Sequence, residues 1–270
     1  MIFSSPAKIN LFFRVLGKRS DGYHEIASLF QAIDLYDTLH LEPAPADSLT
    51  CTDLALPCDS SNLILKALQI FRLRFFLPFG VKIHLEKRIP IQSGFGGGSG
   101  NAATTLWGLN ELAGRPASQG QLAQMGADLG SDVPFFFSNG TAYCTGRGEI
   151  LEPYELPSPL RGWFVKPPFG LSTPLVYKET RVGELLPRDP RKTLADFPCF
   201  YNDLEPAALR LEPRLAGLRK ELEGRGFDSV TMTGSGTAFF CFGERGDASG
   251  LIPFRSIQRQ STGWYLESSA

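Results

Sequence analysis

Between residues 81 and 89, Val81, Ile83, Leu85, Lys87 and Ile89 share one parity, with His84, Glu86 and Arg88 on the other. That alternation predicts a half-buried strand, which Pro90 ends. Ala102, Ala103, Leu106, Leu109 and Leu112 then recur at helical spacing, and Gly114 supplies a stop. Earlier in the chain, Ile9, Leu11, Phe13 and Val15 alternate, with Lys8 and Asn10 on the opposite parity. They predict one or two strands over 1–16, joined at Ser4-Ser5-Pro6. A turn-rich loop at 17–25 leads into an apolar segment, Ile26 to Leu41, that continues the sheet. Residues 43–61 hold three Pro and three Asp and predict loop, with a short strand near Leu49. Helices are predicted over 62–76, with Leu63, Ala67, Ile70, Phe71 and Arg74 near one face, and over 119–129, stopped by Gly130. Thr141 to Leu151 reads as a hairpin turning at Gly146-Arg147-Gly148.

Pro153, Pro157 and Pro159 mark a linker. They divide the chain into an expected N-terminal domain, 1–155, and a C-terminal domain, 156–270. After the linker come a strand at Trp163-Phe164-Val165 and a helix opened by Thr173-Pro174 that carries Tyr177. A helix over 204–225 is broken near Pro213. Strands at Ser229–Met232 and Thr237–Phe242 flank a second glycine loop, Thr233-Gly234-Ser235-Gly236. An edge strand is expected at Trp264-Tyr265-Leu266. Residues 183–199, polar and rich in Pro, support no assignment. Strands and helices mix without regular βα alternation or a repeat, which favours an α+β fold.

Composition narrows the function. Hydrophobic residues are 43% of the 270, charged residues 20%, and the formal net charge is −1. That balance belongs to a soluble globular protein and lacks the basic surface that nucleic acid binding needs. Five Cys without a Cys-x-x-Cys pair, and three His, argue against a disulfide framework or a zinc site. Buried reduced thiols are the expectation. The N-terminal apolar stretch is interrupted by Lys8 and Arg14, unlike a signal peptide, and no run is long enough to span a membrane. A cytoplasmic location is expected.

The chemistry concentrates between the strand at 81–89 and the following helix. There the chain reads Pro90-Ile91-Gln92-Ser93-Gly94-Phe95-Gly96-Gly97-Gly98-Ser99-Gly100-Asn101, with five glycines in the seven positions from Gly94 to Gly100. Glycines let a ligand approach the backbone, and a helix N-terminus favours an anion. Ser99 and Asn101 add polar groups at the expected cap. A phosphate chain fits this loop. It is not a Walker loop, since no Lys follows the glycines, nor a dinucleotide fingerprint, whose third glycine would fall on Ser99 or Asn101. Protein-kinase signatures are absent. Two further residues stand out. Lys8 reads either as a snorkelling surface residue or as a functional cation. Asp132, between a helix stop and an apolar run, reads either as a turn residue or as a preorganised base.

Three motifs, Pro6-Ala7-Lys8-Ile9-Asn10-Leu11, Gly94–Asn101 and Met232-Thr233-Gly234-Ser235-Gly236, together resemble those of the GHMP small-molecule kinases. Arg19-Ser20-Asp21-Gly22-Tyr23-His24-Glu25 and Ser131-Asp132-Val133-Pro134-Phe135-Phe136 resemble the branch that acts on a cytidine-diphosphate-linked methylerythritol. The resemblance implies two α+β domains with the active site in the cleft between them. It also implies ATP, with Mg²⁺, phosphorylating the 2-hydroxyl of that alcohol on the non-mevalonate route to isoprenoids. Lys8 and Asp132 would be the catalytic pair. Asn10, Tyr23, His24, Thr173 and Tyr177 would hold the acceptor, with two aromatic rings clamping the cytosine. Residues 90–101 and Asn62 would hold ATP. The implied partners are these small molecules alone, in a monomer or homodimer without nucleic acid or membrane, and the metal ligands are unassigned. Alternatives are a kinase of this family for another alcohol, or a nucleotide sensor on the same fold. The loop departs from the family pattern: Gln92 and Ser93 replace Gly-Ala, Phe95 replaces Leu, and Gly100 replaces a second Ser whose hydroxyl could touch phosphate.

Overall fold

A computed structural model describes residues 1–259 and 263–265. The chain begins with two long antiparallel strands, β1 (Ile2–Lys18) and β2 (His24–Ala44). The expected break at Ser4-Ser5-Pro6 is a register shift between Pro6 and Ala7 inside one continuous strand. A bulge accommodates the proline while β1 keeps its partner. Next come β3 (Ser48–Cys51), α1 (Leu63–Arg74) and β4 (Gly80–Glu86). Helices α2 (Gly97–Leu112) and α3 (Gln119–Leu129) follow. A short 3₁₀ turn, Pro134–Phe137, leads to the hairpin β5 (Thr141–Gly146) and β6 (Ile150–Pro153).

The length of β2 organises this half. Its C-terminal part pairs with β4 from Thr38 to Ala44, and its N-terminal part pairs with β5 from Ile26 to Gln31. Helices α1, α2 and α3 cover one face through Ile64, Ala67, Leu68, Phe71, Leu106 and Leu122. The buried face of α1 therefore lies one residue from the expected Leu63–Arg74 stripe. The other sheet face meets the second half of the chain.

That half opens with β7 (Arg161–Val165) and α4 (Thr173–Glu179). The unassigned 183–199 segment contains part of a 3₁₀ turn, Val182–Glu184, and α5 (Pro190–Ala195). Asp189 caps α5 by accepting from the N–H groups of Arg191 and Lys192. Then come β8 (Tyr201–Asn202), α6 (Glu205–Leu211) and α7 (Arg214–Gly224). The chain continues with β9 (Ser229–Met232), β10 (Phe239–Phe242) and β11 (Ile252–Arg255). Strand β8 joins the first sheet beside β1, while β7, β9, β10 and β11 form a second antiparallel sheet. The edge strands of this second sheet are β11 and β9, and 264–265 are not in it. Trp264 and Tyr265 are buried without strand structure, and Leu266 lies outside the described residues.

Ile9, Phe12, Phe95, Phe164 and Phe240 pack in one cluster between the two sheets. Burial on both faces encloses β1 from Ser5 to Phe13. It also takes Lys8 and Asn10 out of water, at 3% and 0% exposure. Lys8 is therefore not a snorkelling surface residue. Cys144 and Cys241 are buried thiols as expected, but Cys58 and Cys199 are exposed. Among the described residues no helix is long and apolar enough to cross a membrane.

Candidate active site

The glycine loop joins β4 to α2, and the helix starts five residues before its first apolar position. Gly96, in left-handed conformation at φ 68°, is the N-cap, and Gly97 opens the helix. Ser99 and Asn101 are therefore first- and second-turn residues rather than caps. The expectation failed because glycines at 97, 98 and 100 mask the helical pattern. Asn101 is buried, and its Oδ1 accepts from Ser5 Oγ at 2.8 Å.

The two glycine loops meet backbone to backbone. A Cβ at Gly94 would overlap the Thr233 carbonyl, and one at Gly236 would overlap Ser93 and Gly94. The Ala238 N–H donates to Ser93 O at 3.2 Å. Asn202 Nδ2 donates to the carbonyls of Met232 and Gly234 at 2.8 and 2.7 Å, fixing the second loop. Gln92 takes the left-handed conformation, at φ 52°, at the position where the family pattern has Gly. Its side chain lies against Gly170, where any Cβ would collide with it.

The sequence departures at Phe95 and Gly100 are both buried. Phe95 is fully buried against Phe164, at 4.9 Å between ring centroids. A Cβ at Gly100 would point at Pro6 O, 2.8 Å away, and Phe136. A Ser there would have to fit its Cβ against these atoms, which Gly avoids.

Lys8 is fixed by its neighbours. Its N–H donates to Phe95 O at 2.8 Å, its Nζ donates to Asn10 Oδ1 at 2.7 Å, and the ammonium lies over the Phe30 ring at 4.8 Å. Asn10 Nδ2 donates to Ser28 Oγ at 3.0 Å, and the Asn10 N–H to Thr233 Oγ1 at 3.0 Å. The Asn10 amide thus ties Lys8 to the sheet, and Asn10 itself is fully buried. Asp132 sits in the turn after α3, with Oδ2 3.4 Å from Lys8 Nζ and its side chain about a third exposed, at 32%. A buried ammonium with a half-open carboxylate beside it keeps one acceptor oxygen available to solvent or ligand.

Two cavities flank this pair. The first, about 640 Å³, is lined by Asn62, Leu63, Lys87, Pro90–Gly94, Gly96–Ser99, Asn101 and Gly234–Gly236. Asn62 caps α1 through Oδ1, which accepts from Ile64 N at 3.0 Å, and its Nδ2 donates to Pro57 O at 2.7 Å. The second cavity, about 630 Å³, is lined by Tyr23, His24, Lys18, Ser131, Arg147 and Lys178. Ser99, Asp132, Thr173, Pro174 and Tyr177 line both. Thr173 Oγ1 lies 2.7 Å from Ser235 Oγ, which ties the start of α4 to the second glycine loop. Tyr177 packs on His24, at 5.2 Å between ring centroids, while the Arg147 guanidinium covers a face of the half-exposed Tyr23 ring at 4.9 Å. Burial, and secondarily Lys18, hold the His24 imidazole below its ordinary range. Burial, and secondarily the Asp132 charge, push the Tyr177 phenol up.

Sequence reasoning missed Lys87 and the cations of the second cavity. Lys87 forms a buried pair with Asp37, Nζ to Oδ2 at 2.7 Å, and Asp37 Oδ1 accepts from the N–H groups of Arg88 and Ile89. The signal was a Lys on the apolar parity of the expected 81–89 strand, which ends at Glu86 as β4, but its partner lies 50 residues away in sequence. For Arg147 the signal was a cation held between two turn glycines.

Residues 62–140 match the model of the GHMP kinases N terminal domain. A solved 4-(cytidine 5′-diphospho)-2C-methyl-D-erythritol kinase superimposes with a TM-score of 0.79 at 34% identity, over 96% of this chain and 99% of that one. The 4-diphosphocytidyl-2-C-methyl-D-erythritol kinase of Protochlamydia amoebophila (strain UWE25) is 48% identical over 97% of this chain and 91% of its own length. This chain belongs to the 4-diphosphocytidyl-2-C-methyl-D-erythritol kinase family. As a member of that family it is a small-molecule kinase with the α+β fold of the GHMP kinases. The fold reaches further than the activity: homoserine kinase from Cytophaga hutchinsonii superimposes over 96% of this chain with a TM-score of 0.68 at only 17% identity.

Proposed function

We propose that this chain transfers the γ-phosphate of ATP to the 2-hydroxyl of 4-diphosphocytidyl-2-C-methyl-D-erythritol, within the non-mevalonate route to isoprenoid precursors. The observation that carries the reading is Asp132, on the wall common to both cavities and 3.4 Å from a buried lysine. ATP occupies the glycine-loop cavity, where the first N–H groups of α2 and the loop amides meet its phosphates. The acceptor occupies the second cavity, with its base among Tyr23, His24 and Tyr177. Its hydroxyl oxygen attacks the γ-phosphorus, the bond to the β–γ bridging oxygen breaks, and ADP leaves. Asp132 accepts the hydroxyl proton. Lys8 keeps Asp132 ionised and steadies the charge that develops on the transferring group. Asn10 acts by holding Lys8 in place.

Mg²⁺ is part of the proposal. Among the described residues no group of three or more His, Cys, Asp or Glu could cage a metal. An ion bound mainly through phosphate oxygens and water needs no such cage. Ser99 and Asp132 are the polar side chains of the common wall that would meet it, and it would spread the charge of the phosphoryl group. We also read 1–155 and 156–270 as two domains with this cleft between them, and the enzyme as cytoplasmic.

A coupled ADP-release assay across a panel of alcohols tests the reading. Turnover should be confined to the cytidine-diphosphate-linked alcohol. Faster turnover of a simple sugar or amino-acid alcohol would overturn the substrate, and no turnover of any alcohol would favour a nucleotide sensor.

A further inference from the structure

The second cavity carries more positive charge than a base and a hydroxyl require. Lys18, Arg147 and Lys178 all line it, against Asp132 as the carboxylate of its wall. Arg147 is placed with particular care. It sits at the tip of the β5–β6 hairpin between Gly146 and Gly148, at φ 72° and 123°. Side chains other than Gly rarely adopt such conformations, so the turn is built to present residue 147. Gly148 packs where a Cβ would be 3.6 Å from Asp132 Oδ1, which brings the tip beside the reacting centre.

The contacts of Arg147 orient it without using it up. Its main-chain N–H donates to Glu149 Oε2 at 2.6 Å, and its Nε lies 3.4 Å from Glu149 Oε1. Glu149 offsets part of the charge but engages only the inner edge of the guanidinium. Among the described residues, the terminal Nη groups make no hydrogen bond. The guanidinium carbon lies over the Tyr23 ring, 4.9 Å from its centroid. A guanidinium fixed on one edge and one face presents its remaining donors as a fork suited to phosphate oxygens.

We propose that Arg147, supported by Lys18 and Lys178, is the acceptor-side anion subsite and binds the diphosphate bridge of the acceptor. This rests on the acceptor assignment of the second cavity. Tyr23 then lies between the guanidinium and the stacked base, so one residue couples recognition of the base to recognition of the diphosphate. The enzyme selects phosphorylated acceptors over neutral ones by charge in this cavity rather than in the ATP cavity.

The test is steady-state kinetics of Arg147→Met and Arg147→Lys at saturating ATP, with CDP and cytidine as competitors against the acceptor. Losing a charge-assisted phosphate contact should raise the acceptor KM about 10- to 100-fold in Arg147→Met, with the KM for ATP unchanged. The wild type should bind CDP more tightly than cytidine, and Arg147→Met should lose most of that preference while binding cytidine nearly as well. Arg147→Lys should recover part of it. Wild-type turnover with an undiminished CDP preference in Arg147→Met would overturn this subsite and leave the kinase reading standing. Failure of the wild type to use the acceptor would instead overturn the reading beneath it.

Discussion

Gly98 offers a test in which stability and function should move in opposite directions. It is the second residue of α2 and lines the glycine-loop cavity. A Cβ built there finds only Leu63 Cδ1, 3.8 Å away, so the fold has room for it. Alanine in a helix is favoured over glycine by about 0.5–1 kcal/mol. Gly98→Ala should therefore raise the melting temperature by roughly 1–3 °C. In the proposed ATP cavity the same methyl group would stand where the phosphate chain approaches the backbone. Displacing one charge-assisted N–H contact to phosphate costs about 1.5–3 kcal/mol, or roughly 10- to 100-fold in ATP affinity. Thermal unfolding of the apoprotein and isothermal titration with a non-hydrolysable ATP analogue measure the two halves. A variant that is more stable and binds the analogue as well as the wild type would refute the placement of the phosphates.

Other perturbations separate roles within the site. Asn10→Ala removes the 2.7 Å acceptor of Lys8 Nζ. It should lower kcat about 10-fold or more while the KM for ATP stays nearly constant; an equal rise in both KM values would point to general unfolding. Gly94→Ala forces a side chain into a left-handed position, φ 85°, against the Thr233 carbonyl. It should both destabilise the protein and weaken ATP, unlike Gly98→Ala, and unfolding midpoints compare the two. His24 titrates below its ordinary value because burial, then Lys18, disfavour the imidazolium. A group with a depressed folded-state pKa leaves stability level above about pH 6.5 and lowers it as pH falls through the folded value. The acceptor KM should follow the same window in the wild type, and its rise at low pH should disappear in His24→Gln.

The parts of the chain that could be read in advance are those where local pattern and tertiary environment agree. Helix α3 was legible to the residue because its stop, Gly130, marks its end in sequence and is its C-cap in space, while a Ser118–Gln121 capping box holds its start. The break between α6 and α7 at Pro213 was legible for the same reason. Strand β1 reads in sequence as one strand or two because a proline and two serines suggest a turn locally; pairing along β2 makes it one and absorbs them at a register shift. The start of α2 was missed because its first turn is glycine, chosen against helix propensity at a place where backbone must meet another loop. Strand β11 carries little alternation and is defined by its partner β7. In the site, residue types with few bland uses stood out, such as Lys8 and Asp132. Asn10 also stood out, but its inward aim depends on Ser28 and Thr233, which lie on other strands and loops. Lys87 escaped because its meaning depends on Asp37, and Arg147 because its meaning depends on Tyr23 across the cavity.

Single-turnover kinetics of Asp132→Asn bears most directly on the central claim, that Asp132 takes the acceptor proton where the two cavities meet. The amide keeps the size of the side chain but cannot accept the proton, and loss of a general base lowers the rate about 10²- to 10⁴-fold. The account predicts a fall of that size in the phosphoryl-transfer rate, with the dissociation constants of ATP and acceptor within about threefold of wild type. A transfer rate close to that of the wild type would contradict it.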